Sequence, residues 1–141
     1  LYSRKLLEAT GGYDESLFLW GVELDLAARA LRQGFRLGKC DSAVVEHRCV
    51  PANRSSERHA YYYTRNLLAF LLRYAPVRTR QRQVSDYLTN VLLYSALHRT
   101  LVYWRGARAS RQVAKRPSSS VSEEQFAAIG PDLRLPFSFL G

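Results

Sequence analysis

The sequence predicts an α/β fold extended by helices toward its C-terminal end. Three observations carry that expectation: a helical period closed by glycines over residues 3–34, two short β-rich runs over 35–46, and a second half that is helical up to a Ser/Pro linker. The chain has 141 residues, 47% of them hydrophobic and 23% charged, which is enough apolar side chain for a core and too much for a disordered tail.

Ser3 to Thr10 reads as a short helix ended by Gly11-Gly12. YDESLFLW, residues 13–20, is a polar turn followed by an apolar, aromatic run. From Val22 to Gln33, Leu24, Ala27, Ala28 and Leu31 recur at helical spacing, and Gly34 stands where a left-handed residue would stop the helix. Phe35–Lys39 and Ser42–Glu46 are the two expected strands, and residues 48–58 a loop. Glu57–Ala75 predicts a helix broken at Pro76, and Val84 to about Ala107 a longer one that is apolar over a broad arc. RPSSSVS, residues 116–122, reads as a solvated linker before a weak short helix and an extended tail. This divides the chain into 1–58, a basic helical extension over 59–115, and a linker and tail over 116–141.

Charge is distributed unevenly. Residues 1–50 hold seven acidic and seven basic side chains, whereas residues 51–116 hold two acidic and thirteen basic, a net of +11. Such a block attracts phosphates, whether of nucleic acid, anionic lipid or a phosphorylated substrate. Two cysteines, Cys40 and Cys49, are too few for a disulfide scaffold and lack metal-ligand spacing, so both are read as reduced and structural. The longest apolar stretch, Tyr87–Trp104, carries Asn90, His98 and Arg99, which argues against a membrane span. With Leu1 first and no methionine, the chain reads as a fragment with more sequence expected upstream.

The densest chemistry lies in residues 11–47. Glu23 and Asp25 fall at the first turn of the second helix, where acids offset the helix dipole. The less common alternative is a semi-exposed carboxylate serving as a general base, and positions two apart on a helix face nearly opposite ways. His47, at the end of the second expected strand, is either a packed residue or a ligand for a divalent metal whose carboxylates come from elsewhere. YYYTRN, residues 61–66, is either core and helix surface or an aromatic wall with Arg65 and Asn66 beside it, suited to sugar or phosphate.

Taken in order, GGYDESLFLWGVELDLAARALRQGFRLG, SAVVEH and YYYTRNLLAFLLRYAP resemble the C-terminal half of family 2 glycosyltransferases of the GT-A fold, nearest to rhamnosyltransferase-like and galactofuranosyltransferase-like members. The resemblance covers about residues 1–76. It implies the C-terminal portion of a GT-A domain, with a family motif of aromatic-Gly-Glu-Asp-x-Asp-Leu. Trp20 and Gly21 match its start, Val22 replaces the Glu, Glu23 stands at the base Asp, and Asp25 and Leu26 match. A Glu base is one methylene longer, and a displacement of about 1 Å can cost on the order of 100-fold in rate.

The resemblance further implies Glu23 and Asp25 as catalytic residues, Trp20, Gly21, Tyr62, Arg65 and Asn66 as substrate-binding residues, and His47 as a metal ligand. The metal would be Mg or Mn, completed by an upstream Asp-x-Asp, a motif this chain does not contain. The implied reaction is inverting transfer from a nucleotide-sugar donor to a hydroxyl of a cell-envelope or polysaccharide glycan, with a glycan or lipid-linked acceptor. The implied place is the cytoplasmic face of the cell membrane, with the basic helices on its anionic surface. Two other classes remain: a catalytically decayed transferase-like scaffold, and, ranked last, a basic nucleic-acid-binding module.

Overall fold

The computed structural model describes residues 2–38, 40–46, 56–94, 97–115 and 120–129. They form six helices: α1 (Arg4–Thr10), α2 (Val22–Arg32), α3 (Ser56–Tyr74), α4 (Val77–Tyr94), α5 (Leu97–Val113) and α6 (Glu123–Ile129). Among the described residues there is no strand, which overturns the α/β expectation and with it the GT-A architecture for this chain.

The two expected strands fail for a physical reason. A strand takes its hydrogen bonds from a neighbouring strand, and none is present among the described residues. The Phe35 amide instead bonds back to the Ala30 carbonyl at 3.0 Å and the Gly34 amide to Leu31 at 3.1 Å, closing α2 around Gly34 at φ 80°. Residues 40–43 then turn, with the Ala43 amide on the Cys40 carbonyl, and Val44 and Val45 are left 89% and 87% exposed.

The helix ends follow local chemistry. Ser3 caps α1 by accepting from the Leu6 amide at 3.2 Å, and Gly11 ends it in the left-handed region at φ 74°. Ser122 and Gln125 form a reciprocal capping box at α6, each side chain bonded to the other's backbone amide at 3.1 Å. Pro76 separates α3 from α4, and its carbonyl accepts the Arg80 amide at 2.8 Å. The single helix expected over Val84–Ala107 is two, α4 and α5. Its first turns are polar (Arg78, Arg80, Gln81, Arg82), which hides the true start at Val77.

α3 is the central element. Leu67, Phe70 and Leu71 from it pack with Tyr87 and Val91 of α4, Tyr103 of α5 and Phe126 of α6. Phe70 and Phe126 stack with ring centroids 5.8 Å apart. Thr64 of α3 and Tyr87 of α4 share a buried hydroxyl–hydroxyl bond. A smaller cluster, Leu6, Leu26 and Ala30 with Phe35, joins α1 to α2.

Residue pairs between α3 and α5 advance together: Gly106 lies against Tyr61 and Thr64, and the Val113 carbonyl meets Arg73. The two helices therefore run in the same direction, with α4 returning the chain between them. Gly106 permits their close approach, because a Cβ there would come within 2.8 Å of the Tyr61 carbonyl and 3.0 Å of Thr64 Cβ. Gly106→Ala should therefore destabilise the fold by about 1–3 kcal/mol, although alanine favours a helix interior over glycine by about 1 kcal/mol. Urea unfolding of the variant tests this. A gain in stability would mean that the helices separate at no cost.

Candidate functional site

The site begins at a strained turn. Trp20 has φ 54°, a left-handed conformation that costs a non-glycine residue about 1–2 kcal/mol, and Gly21 follows at φ 79°. Asn66 of α3 holds this turn. Its side-chain amide, buried to 1% exposure, donates to the carbonyls of Leu19 and Trp20, the latter at 2.7 Å. The Arg65 guanidinium donates to the Ser16 carbonyl at 2.8 Å and to the Asn66 side-chain oxygen at 2.9 Å. Thus the Arg-Asn pair of YYYTRN grips the loop that precedes α2.

Aromatic rings surround the turn. Trp20 lies on His59 with ring centroids 3.9 Å apart. On the outer face Phe18 and Tyr62 pack at 5.3 Å, with Arg58 over Phe18 at 5.4 Å and Arg65 over Tyr62 at 4.8 Å. Phe18 is 58% exposed, so this face presents two rings and two guanidinium groups together.

Behind the turn lies a buried ionic cluster. Arg73 Nη1 donates to Asp14 Oδ2 and to Asp25 Oδ1, both at 2.9 Å, with all three side chains almost wholly buried. Asp25 also accepts from the Tyr74 hydroxyl at 2.7 Å and from Arg29 Nε at 2.8 Å. Arg29 extends across to the carbonyls of Thr10 and Gly12, which lie at and just past the end of α1. Burial and the bond to Asp25 raise the Tyr74 hydroxyl well above its ordinary range. Both oxygens of Asp25 are engaged, so of the two roles open to this acid its environment is that of a structural group.

Burial pushes the Asp14 carboxyl up, but the Ser16 and Arg73 hydrogen bonds outweigh it and hold the group below its ordinary 3.8. A carboxylate lowered in the folded state contributes stability that is complete above the unfolded value and lost as pH falls through the folded one. The chain should accordingly lose stability as the pH falls below about 4, and Asp14→Asn should flatten that limb. Thermal denaturation along that limb checks it, and an unchanged slope in the variant would remove Asp14 as the cause.

Glu23 is exposed on the first turn of α2. It borders a recess of about 240 Å³ with Tyr2, Leu37 and Ile129, a recess that Trp20, Tyr62, Arg65 and Asn66 do not line. Tyr2 is pushed up to about 12 there, first by its hydrogen bond with Tyr13 and then by burial. The structure thus brings Trp20, Gly21 and Asn66 into contact, with Arg65 and Tyr62 beside them, and turns Glu23 toward a neighbouring recess. His47 and Cys49 lie outside the described residues. Among the described residues no three His, Cys, Asp or Glu side chains gather as a metal site, and the buried carboxylates are instead taken up by arginines.

Sequence reasoning did not single out Arg73, Asp14, Arg29, His59 or Phe18. A signal existed for two of them. Arg73 interrupts an apolar helix run, LLAFLLRYA, and Asp14 precedes Ser16 in an Asx-type turn whose carboxylate accepts the Ser16 amide at 3.0 Å.

No family model, curated protein or solved structure matches the chain. The likeness to family 2 glycosyltransferases therefore stands on the three sequence segments. Among the described residues no helix is long and apolar enough to cross a membrane.

Proposed function

We propose that this chain forms the acceptor side of an inverting glycosyltransferase, with Glu23 as the base. The observation that carries the reading is the Asn66 grip on the Trp20–Gly21 turn, which joins two of the three segments on which the family likeness rests. Strain of this kind persists only where the surroundings hold it, and functional sites are where it is commonly retained. Phe18 and Tyr62 offer faces for a sugar ring, and Arg58 a cation for a phosphate. Glu23, two residues beyond the turn, is exposed at the neighbouring recess beside Tyr2 and would take the proton of an acceptor hydroxyl that reaches from the Phe18–Tyr62 face into that recess. That oxygen would attack the anomeric carbon, and the nucleotide diphosphate would leave with the bonding electrons.

The donor would be held, and the metal site to which His47 contributes would be completed, by residues outside this chain, so the chain alone should show no sugar transfer. In the complete protein, Glu23→Gln should lower transfer by about 10²–10⁴-fold without changing the fold. Undiminished transfer would remove Glu23 from the chemistry. The sequestered Asp25 favours a second reading, a scaffold that has lost catalysis, and in that case the Glu23→Gln protein would function as well as the parent.

A further inference from the structure

The helical second half carries a groove that the acceptor face does not use. It lies between α3, α4 and α5, has a volume of about 870 Å³, and is floored by Leu68, Val84, Leu88 and Ala107. That volume is in the range of cavities that take small ligands, about 300–1,000 Å³. Leu101 and Trp104 stand at its edge, 66% and 53% exposed. Arg105, Arg108 and Arg111, spaced three apart on α5, also border it. None of these three forms an ion pair among the described residues. Residues 97–113 hold four arginines and no acid.

We propose that this groove docks the chain on an anionic phospholipid surface, an acyl chain lying along the leucine floor and the headgroup phosphate meeting the arginine row. The chemistry selects this occupant. An apolar trough alone would suit many partners, but a trough edged by a row of cations suits a hydrocarbon chain that ends in an anion. A tryptophan at the rim, with an apolar body and a polar N–H, is the side chain that settles at the headgroup level of a bilayer. A second copy docked through the same groove face to face would bring two arginine rows together without an acid on either α5 to offset them. Nucleic acid would satisfy the arginines but leave Leu101 and Trp104 without apolar cover. The proposal deepens the membrane-surface placement that the basic block and the transferase reading imply, but its test involves neither Glu23 nor the Trp20 turn and so fails or holds separately from them.

The test uses vesicles of phosphatidylglycerol and phosphatidylcholine in equal parts, against phosphatidylcholine alone, with brominated acyl chains as a quencher. The expected result is binding that requires phosphatidylglycerol and quenches tryptophan fluorescence, with the quenching lost in Trp104→Phe. Replacing Arg105, Arg108 and Arg111 together by Gln, all exposed and therefore compatible with folding, should weaken binding by about 100-fold. Equal binding to both vesicle types would overturn the proposal. So would phosphatidylglycerol binding without quenching, which would mean a purely electrostatic surface. An oligonucleotide bound more tightly than the vesicles, or self-association that shields Trp104 and persists when vesicles are added, would also overturn it.

Discussion

Arg73→Met is expected to destabilise the chain by about 3–5 kcal/mol, the cost of removing one partner from a buried ionic cluster. Methionine fills much of the volume, so the loss would come from charge rather than from a cavity. Asp14 and Asp25 would be left facing each other across the site of the missing guanidinium, and the Val113 carbonyl would lose its donor. Against a typical total of about 5–15 kcal/mol, that loss alone could unfold a marginal domain. Two features separate this cause from simple loss of packing. The penalty should shrink at acid pH as the Asp14 carboxylate, no longer held charged by the guanidinium, becomes protonated, and pairing Arg73→Met with Asp14→Asn should recover part of it. Urea midpoints at pH 7 and pH 4 give both comparisons. A loss below about 1 kcal/mol that did not vary with pH would mean that water screens the cluster.

The second large effect is expected at Asn66. Asn66→Ala removes the donor shared by the Leu19 and Trp20 carbonyls and should cost about 2–3 kcal/mol, through stranded carbonyls and release of the strained turn. Asn66→Asp should be worse than alanine despite its identical shape, because it sets a carboxylate against two carbonyl oxygens. That order, asparagine then alanine then aspartate, is the signature of a donor rather than a space-filler. The stacking of Trp20 on His59 supplies the readout, since the turn's release should alter the near-ultraviolet circular dichroism. If alanine and aspartate were equally tolerated, the turn would be held by something other than this amide.

Those helix termini that have local causes were legible. Ser3, Gly11, Gly34 and Pro76 act within a few residues of themselves, and each end lies within about a residue of where they place it. The strands were not legible, because β propensity in Phe35–Lys39 and Ser42–Glu46 describes a preference that only a partner strand can satisfy. The break between α4 and α5 was hidden for a related reason, as the run Tyr87–Trp104 contains no glycine or proline to mark it. At the site, Glu23 and Asp25 could be seen as acids at a helix start. What separates them is Arg73, a residue 48 positions from Asp25 that only the packing of α2 against α3 brings near. Trp20–Gly21 and Asn66 were both visible as motifs, while the bond between them, spanning 46 residues, was not.

Arg73 touches three stretches of chain that are far apart in sequence: Asp14 before α2, Asp25 within it, and the Val113 carbonyl at the end of α5. The small α1–α2 cluster has few apolar contacts of its own and by itself would be expected to fray. Yet lifting it away would break both of the buried ion pairs that Arg73 makes, together with the Tyr74 bond to Asp25. Partial opening is therefore penalised nearly as heavily as complete opening. Amide protons in α2 should exchange with solvent at rates close to those in the middle of α3, as one cooperative unit rather than a loose flap on a firm bundle.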